Sequence, residues 1–206
     1  MTKRDQSTLA KYLAKIERRT ALSPEAHDAF LAMPKVDHDY PRYRDIVKEG
    51  DRPERATFVE SGLVSRYKTL RSGARQIMSF HIPGDLVDLQ SAVIVVADHG
   101  VHTHSAVRAV SVAHSDILSL AAHYPEIARA FWFDTLIDAA IFREWTVNVG
   151  RRNSRERTAH LLLEMAALYE AAGMIKDDTF EFPITQNDLS DALSMTAVHL
   201  NRAPNR

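Results

Sequence analysis

Ile184-Thr-Gln-Asn-Asp-Leu-Ser-Asp-Ala-Leu-Ser-Met-Thr-Ala-Val-His-Leu-Asn-Arg202 reads as two short helices joined by a tight turn. Thr185-Gln-Asn-Asp188 is an N-cap signature, with Asp standing in for the Glu or Gln of a capping box. Leu189, Leu193, Met195 and Leu200 are spaced to bury a small apolar core between helices set near a right angle. Ser190 supplies the small side chain where those helices approach most closely. Thr196 caps the second helix, and its amides and hydroxyl can meet a phosphate. Val198, His199 and Arg202 then point outward. Arginine can grip guanine O6 and N7 with two bonds, valine can touch a thymine methyl, and histidine can donate to a base or phosphate. Thr185, Gln186, Thr196, Val198, His199 and Arg202 are therefore the candidate DNA-binding residues of a helix-turn-helix. An ordinary helical hairpin closing a domain fits the same residues.

Working back toward the N-terminus, Asn153-Ser-Arg-Glu156 is a capping box opening a helix with Leu161, Leu162, Met165, Leu168 and Tyr169 as its buried stripe and Gly173 as its stop. Before it, Pro125 to Val149 contains no further Gly or Pro, and Ile127, Ala130, Phe131, Ile137, Ala140, Ile141 and Trp145 recur at helical intervals. Apolar groups cover more of this helix than one packing face needs, so a second face is expected to meet a second chain. Ile127, Phe131, Ile137, Ile141 and Trp145 are the candidate dimer-interface residues.

Residues 40 to 120 change period. Short β-rich runs appear at Phe58-Val59, Leu63-Val64, Ile77-Met-Ser-Phe80 and Val93-Ile-Val-Val96. Glycines at 50, 62, 73 and 84 punctuate them at intervals of 12, 11 and 11. Short strands with turns at this spacing predict an all-β sandwich or barrel. Residues 5 to 33 read as a helical lead-in, with Ser23-Pro24 starting its second helix. The expected fold is α+β: a jelly-roll domain over 1–124, a long helix over 125–150 and a helix-turn-helix domain over 151–206.

Composition narrows the functions. The 206 residues contain no cysteine, which excludes disulfides, thiolate zinc sites and cysteine-held iron–sulfur clusters. Hydrophobic residues make up 45%, enough for a core, and no apolar run approaches membrane-spanning length. A cytoplasmic protein is expected, with no membrane partner. Net charge is −1, so the chain is not basic as a whole.

The run Gly150-Arg-Arg-Asn-Ser-Arg-Glu-Arg-Thr-Ala-His-Leu-Leu-Leu-Glu-Met165, followed by Ile184 to Arg202, resembles the Crp/Fnr superfamily of bacterial transcription regulators. Ile46-Val-Lys-Glu-Gly-Asp51, Glu60-Ser-Gly-Leu-Val64 and Phe80-His-Ile-Pro-Gly-Asp-Leu86 resemble the superfamily's β-roll, in the right order. The resemblance covers nearly the whole chain. It implies a sensor roll, a homodimer through the long helix, and a winged helix-turn-helix on a palindromic double-stranded DNA operator. It implies a regulator and not an enzyme, with no cofactor.

Several departures qualify those expectations. Cyclic-nucleotide-binding members carry Gly-Glu after the Gly-Asp strand and then an Arg before Ser or Ala. Here the stretches read Leu86-Val-Asp-Leu-Gln90 and His102-Thr-His-Ser-Ala106. A cyclic phosphate would lose its bidentate cation, which argues against cyclic AMP as effector. Arg75, Gln76, His81 and Arg108, polar groups in β-rich segments, are the candidate pocket for an unidentified small-molecule effector. His102-Thr-His104 has the spacing of a cupin metal pair, but Val107, Arg108 and Ala109 stand where a carboxylate ligand is needed, so no metal is expected. The helix-turn-helix turn needs a residue at positive φ, and Ser194 stands there instead of Gly, at a cost of about 1 kcal/mol. Pro204 lacks the amide to bond back to Leu200, so the second helix is expected to stop near Asn201, with no chain left for a wing. Residues 153–206 hold five Lys or Arg against eight Asp or Glu, a net of −3, so weak DNA binding is expected. A truncated sensing or dimerisation module without DNA binding is the alternative reading, and a cupin-like metal enzyme the lesser alternative.

Overall fold

In the computed structural model, which describes residues 8–195, two antiparallel sheets face each other and helices close both ends. The lead-in forms α1 (Thr8–Glu17) and α2 (Pro24–Leu31). Ser23 caps α2 by accepting from the Ala26 amide, and Pro24 sits at the first helical position, where its missing N–H costs nothing. Strands β1 (Lys35–Tyr40), β2 (Asp45–Val47), β3 (Arg55–Ser61), β4 (Val64–Thr69), β5 (Arg75–His81), β6 (Gly100–Thr103) and β7 (Val107–Ala113) follow. One sheet has the order β1-β7-β3 and the other β2-β6-β4-β5. Every pairing is antiparallel.

The turn glycines act as their spacing predicts. Gly50, Gly62, Gly73 and Gly84 have φ between +85° and +96°. Gly62 is also sterically required, because a Cβ there would lie 2.4 Å from the Ala106 carbonyl oxygen.

The run Val93-Ile-Val-Val96 is a correction. It follows a 3-10 turn (Leu89–Ala92), forms no strand, and all four side chains are exposed. The ladder to β4 starts at Gly100, where Tyr67 packs so closely that a Cβ would meet its ring. High β propensity without a partner edge does not make a strand.

Beyond β7 come α3 (His114–His123), α4 (Pro125–Arg151), α5 (Ser154–Ala171) and α6 (Gln186–Leu193). At 27 residues, α4 is about 40 Å long. Its buried side faces the roll: Ile127, Ala130 and Phe131 join Leu9, Tyr12, Phe30 and Phe58 in one core cluster. Trp145 joins Leu63, Ile77, Phe80, Leu161, Met165 and Leu193 in another. Ile127, Phe131 and Trp145 are thus consumed by the chain's own cores, and Ile141 packs beside Trp145, which corrects the expected dimer interface. Ile137 is half-buried. Exposed apolar side chains on the opposite face include Trp132, Leu136 and Val147, with Phe133 exposed to one side of them. Their spacing of four and eleven residues aligns them along one stripe.

Candidate functional site

The local signals around α6 hold. Thr185 and Asp188 form a full capping box: the Asp188 amide donates to Thr185 Oγ1 at 3.1 Å, and the Thr185 amide donates to Asp188 Oδ2 at 2.9 Å. Thr185 and Gln186 therefore mark the start of the helix. At the other end Ser194 lies in the left-handed region, with φ 51° and ψ 47°, as a tight turn at that position requires. Ala192 and Leu193 bury one face of α6 against β5 and α5, while Leu189 and Met195 pack at its edge. Thr196, Val198, His199, Leu200, Arg202 and Pro204 lie outside the described residues.

Sequence reasoning missed what holds α6 in place. Arg75, on β5, forks across the helix. Its Nε donates to Asp191 Oδ2 and its Nη2 to Asp188 Oδ1, both at 2.8 Å. Gln76 Nε2 donates to the Ala192 carbonyl at 3.2 Å, and the Ser194 hydroxyl donates to Gln76 Oε1. From the far side, Arg157 on α5 donates to the Leu193 carbonyl at 2.9 Å and the Ser194 carbonyl at 3.3 Å. These bonds satisfy carbonyls that a helix end leaves without partners. His104 is fully buried; its Nε2 meets Ser65 Oγ at 2.7 Å, and its Nδ1 lies 3.3 Å from Asp188 Oδ1. Burial pulls the His104 imidazole below its ordinary range. Burial pushes Asp188 upward, but the His104 ring and the Thr185 amide and hydroxyl outweigh it and hold that carboxylate well below its usual range.

The four residues expected to form an effector pocket do not share one. Arg75 and Gln76 face α6. His81 is buried between Ser79, at 2.9 Å, and Asp85, at 3.7 Å. Arg108 is exposed on β7 and pairs with Glu60 at 3.1 Å. Polar identity in a β-rich segment does not say which element or face each side chain will meet. His102 and His104 likewise turn to separate partners, His102 Nδ1 to Asp45 Oδ1 at 2.7 Å and His104 to Ser65.

The interior of the roll is occupied by its own side chains. Arg66 is 3% exposed; its Nε donates to the Val87 carbonyl at 2.5 Å and its Nη1 to Asp138 Oδ2 on α4 at 2.7 Å. Lys15 on α1 pairs with Asp85 at 2.9 Å and lies 4.0 Å from Asp134 on α4. These ion pairs tie α4 to the roll where it crosses. Beneath the 3-10 turn, Val47, Val101, Asp88, Gln90 and His99 line a cavity of about 10 Å³, the space of a single water. Asp88 accepts the Thr57 amide at 2.6 Å through Oδ1, and its Oδ2 has no partner. Burial pushes this carboxyl up to about 6, against the Thr57 amide and the Arg66 guanidinium.

Residues 38–124 match the cyclic nucleotide-binding domain family. The chain is 24% identical over 178 residues to the transcriptional activator protein FnrL of Cereibacter sphaeroides, covering 84% of this chain and 71% of the relative. It is 25% identical over 174 residues to the nitrogen fixation regulation protein FixK of Azorhizobium caulinodans, covering 84% and 68%. The solved structure of FixK2 from Bradyrhizobium japonicum superposes with a TM-score of 0.76 at 25% identity, over 83% of each chain. The roll thus matches the cyclic nucleotide-binding domain family, and the chain as a whole is similar to regulators of the Crp/Fnr superfamily. The Arg75 fork joins strand β5 of the roll directly to α6.

Proposed function

We propose that this Crp/Fnr protein is a cytoplasmic, DNA-binding transcription regulator whose reader is a helix-turn-helix built from α6, the Ser194 turn and residues 196–202. The observation that carries the reading is the unit of Thr185 capping box, short α6 and left-handed Ser194, which directly precedes Thr196. Residues 1–124 are the sensor part, 125–150 the dimer helix and 151–206 the DNA-binding part. A second copy covers the exposed Trp132, Leu136 and Val147 stripe of α4, and the operator is a two-fold site matching that pairing. Because α4 is tied to the roll through Arg66–Asp138 and, by way of Lys15 on α1, through Asp134 and Asp85, a signal in the roll shifts α4 and with it the spacing of the two readers.

The test is selection of duplexes from a random-sequence pool, followed by gel shift. The wild-type chain recovers a palindrome and binds it with an affinity that falls as salt rises. Arg202→Ala relaxes the choice at one base pair of each half-site, at a cost of about 1–3 kcal/mol. Absence of salt-sensitive binding to every duplex overturns the reading.

A further inference from the structure

Arg75 and Asp188 are 113 residues apart, yet a single guanidinium spans two carboxylates one turn apart on α6. This is a fork geometry that lysine cannot copy. Gln76, the next residue on β5, grips the last turn of α6 and the Ser194 hydroxyl. The two consecutive β5 residues thus hold the first helix and the turn at once. The contact does a second thing. Asp188 and Asp191 are acidic groups on a helix that must approach phosphates, in a segment whose net charge is −3. Arg75 neutralises both.

We propose that Arg75 is a positioning residue for DNA reading: by pinning Asp188 and Asp191 of α6 to strand β5, it sets the reader against its own sensor sheet and screens two carboxylates from the DNA. The inference rests on α6 being the first helix of the helix-turn-helix. It adds to the α4 route a direct coupling within one chain, from the sensor sheet to the reader. Arg75 does not itself touch DNA, since its forked face is turned into the two aspartates.

The experiment compares the full-length wild-type protein with Arg75→Ala, Arg75→Lys and Asp191→Asn on the duplex that the wild type selects. Amide hydrogen exchange over residues 186–194 is measured in parallel. Arg75→Ala is expected to weaken binding on the order of tenfold, within the usual range of coupling between sites. Arg75→Lys falls between it and the wild type. Asp191→Asn, which removes one prong from the more exposed side, gives the smallest loss. The slope of log affinity against log salt stays at the wild-type value, because no phosphate contact is lost, and exchange quickens over 186–194 while the roll stays protected. Unchanged or tighter binding by Arg75→Ala overturns the proposal. A salt slope reduced by about one also overturns it, because Arg75 would then be a phosphate contact. If the wild type binds no duplex, the helix-turn-helix reading falls with it, and exchange over 186–194 still decides whether Arg75 holds α6.

Discussion

Helices α4 and α6 both rest on the roll, but the balance of forces that holds them differs. The N-terminal half of α4 is sealed by apolar burial: Tyr12, Phe30, Phe58 and Phe131 form a ring cluster with centroids 5.3–6.3 Å apart, backed by Leu9, Leu13 and Ile127. α6 adds to the buried Ala192 and Leu193 a set of polar contacts at a partly exposed seam, with Arg75 23% exposed and Asp191 28%. Burial energy scales with area and is nearly indifferent to salt and small rotations, whereas ion pairs and hydrogen bonds depend on geometry and weaken with ionic strength. The N-terminal half of α4 is therefore the more firmly seated of the two, and α6 is the helix whose attachment depends more on geometry and ionic strength.

The comparison can be broken first at its apolar end. Phe30→Ala removes the ring at the centre of the aromatic cluster, which meets Tyr12, Phe58 and Phe131, and should cost about 3–5 kcal/mol, read as a fall in the urea midpoint for the whole protein. A loss confined to the α1–α2 end, with the rest of the roll unchanged, would mean that the cluster is not shared with α4.

Asp88 sharpens it next, as a polar group inside the apolar piece. Its carboxyl is raised to about 6 from an ordinary 3.8. Between those values the native state holds a proton that the unfolded chain has lost, so stability falls as pH rises through this window and levels off above about 6. Asp88→Asn keeps an acceptor for the Thr57 amide and cannot ionise. It should gain on the order of 2–3 kcal/mol over the wild type above pH ~6, and the difference should shrink toward zero near pH ~4. Taking the difference between the two proteins cancels the buried histidines, which act in the opposite sense. A pH-independent difference would refute ionisation of Asp88 as the cause.

The smallest effect lies at the turn that ends α6. Ser194→Gly relieves a left-handed residue but gives up the hydroxyl bond to Gln76. The net gain should stay under about 1 kcal/mol, measured by thermal unfolding. A clear loss instead would mean that the Gln76 contact outweighs the strain.

What was legible in advance was local. The capping boxes at Asn153 and Thr185, the glycine turns and the left-handed Ser194 each follow from side chains within four residues of one another. The failures share one cause. Val93 to Val96 has strand composition, but whether it pairs depends on an edge supplied elsewhere in the chain. Helical spacing announced two apolar faces on α4 but could not say which one the roll would cover. Arg75 and Gln76 were singled out as polar residues for a ligand, and their partners proved to be Asp188, Asp191, Ala192 and Ser194.

By itself, the order of residues determined where helices and turns begin and end, and the order of β-roll, long helix α4 and helix α6, because caps, periodicity and glycine positions act over a few residues. Only the tertiary structure decided which charges meet. Strand β5 and helix α6 lie more than a hundred residues apart, and an ion pair is fixed by distance in space, which folding sets and sequence spacing does not.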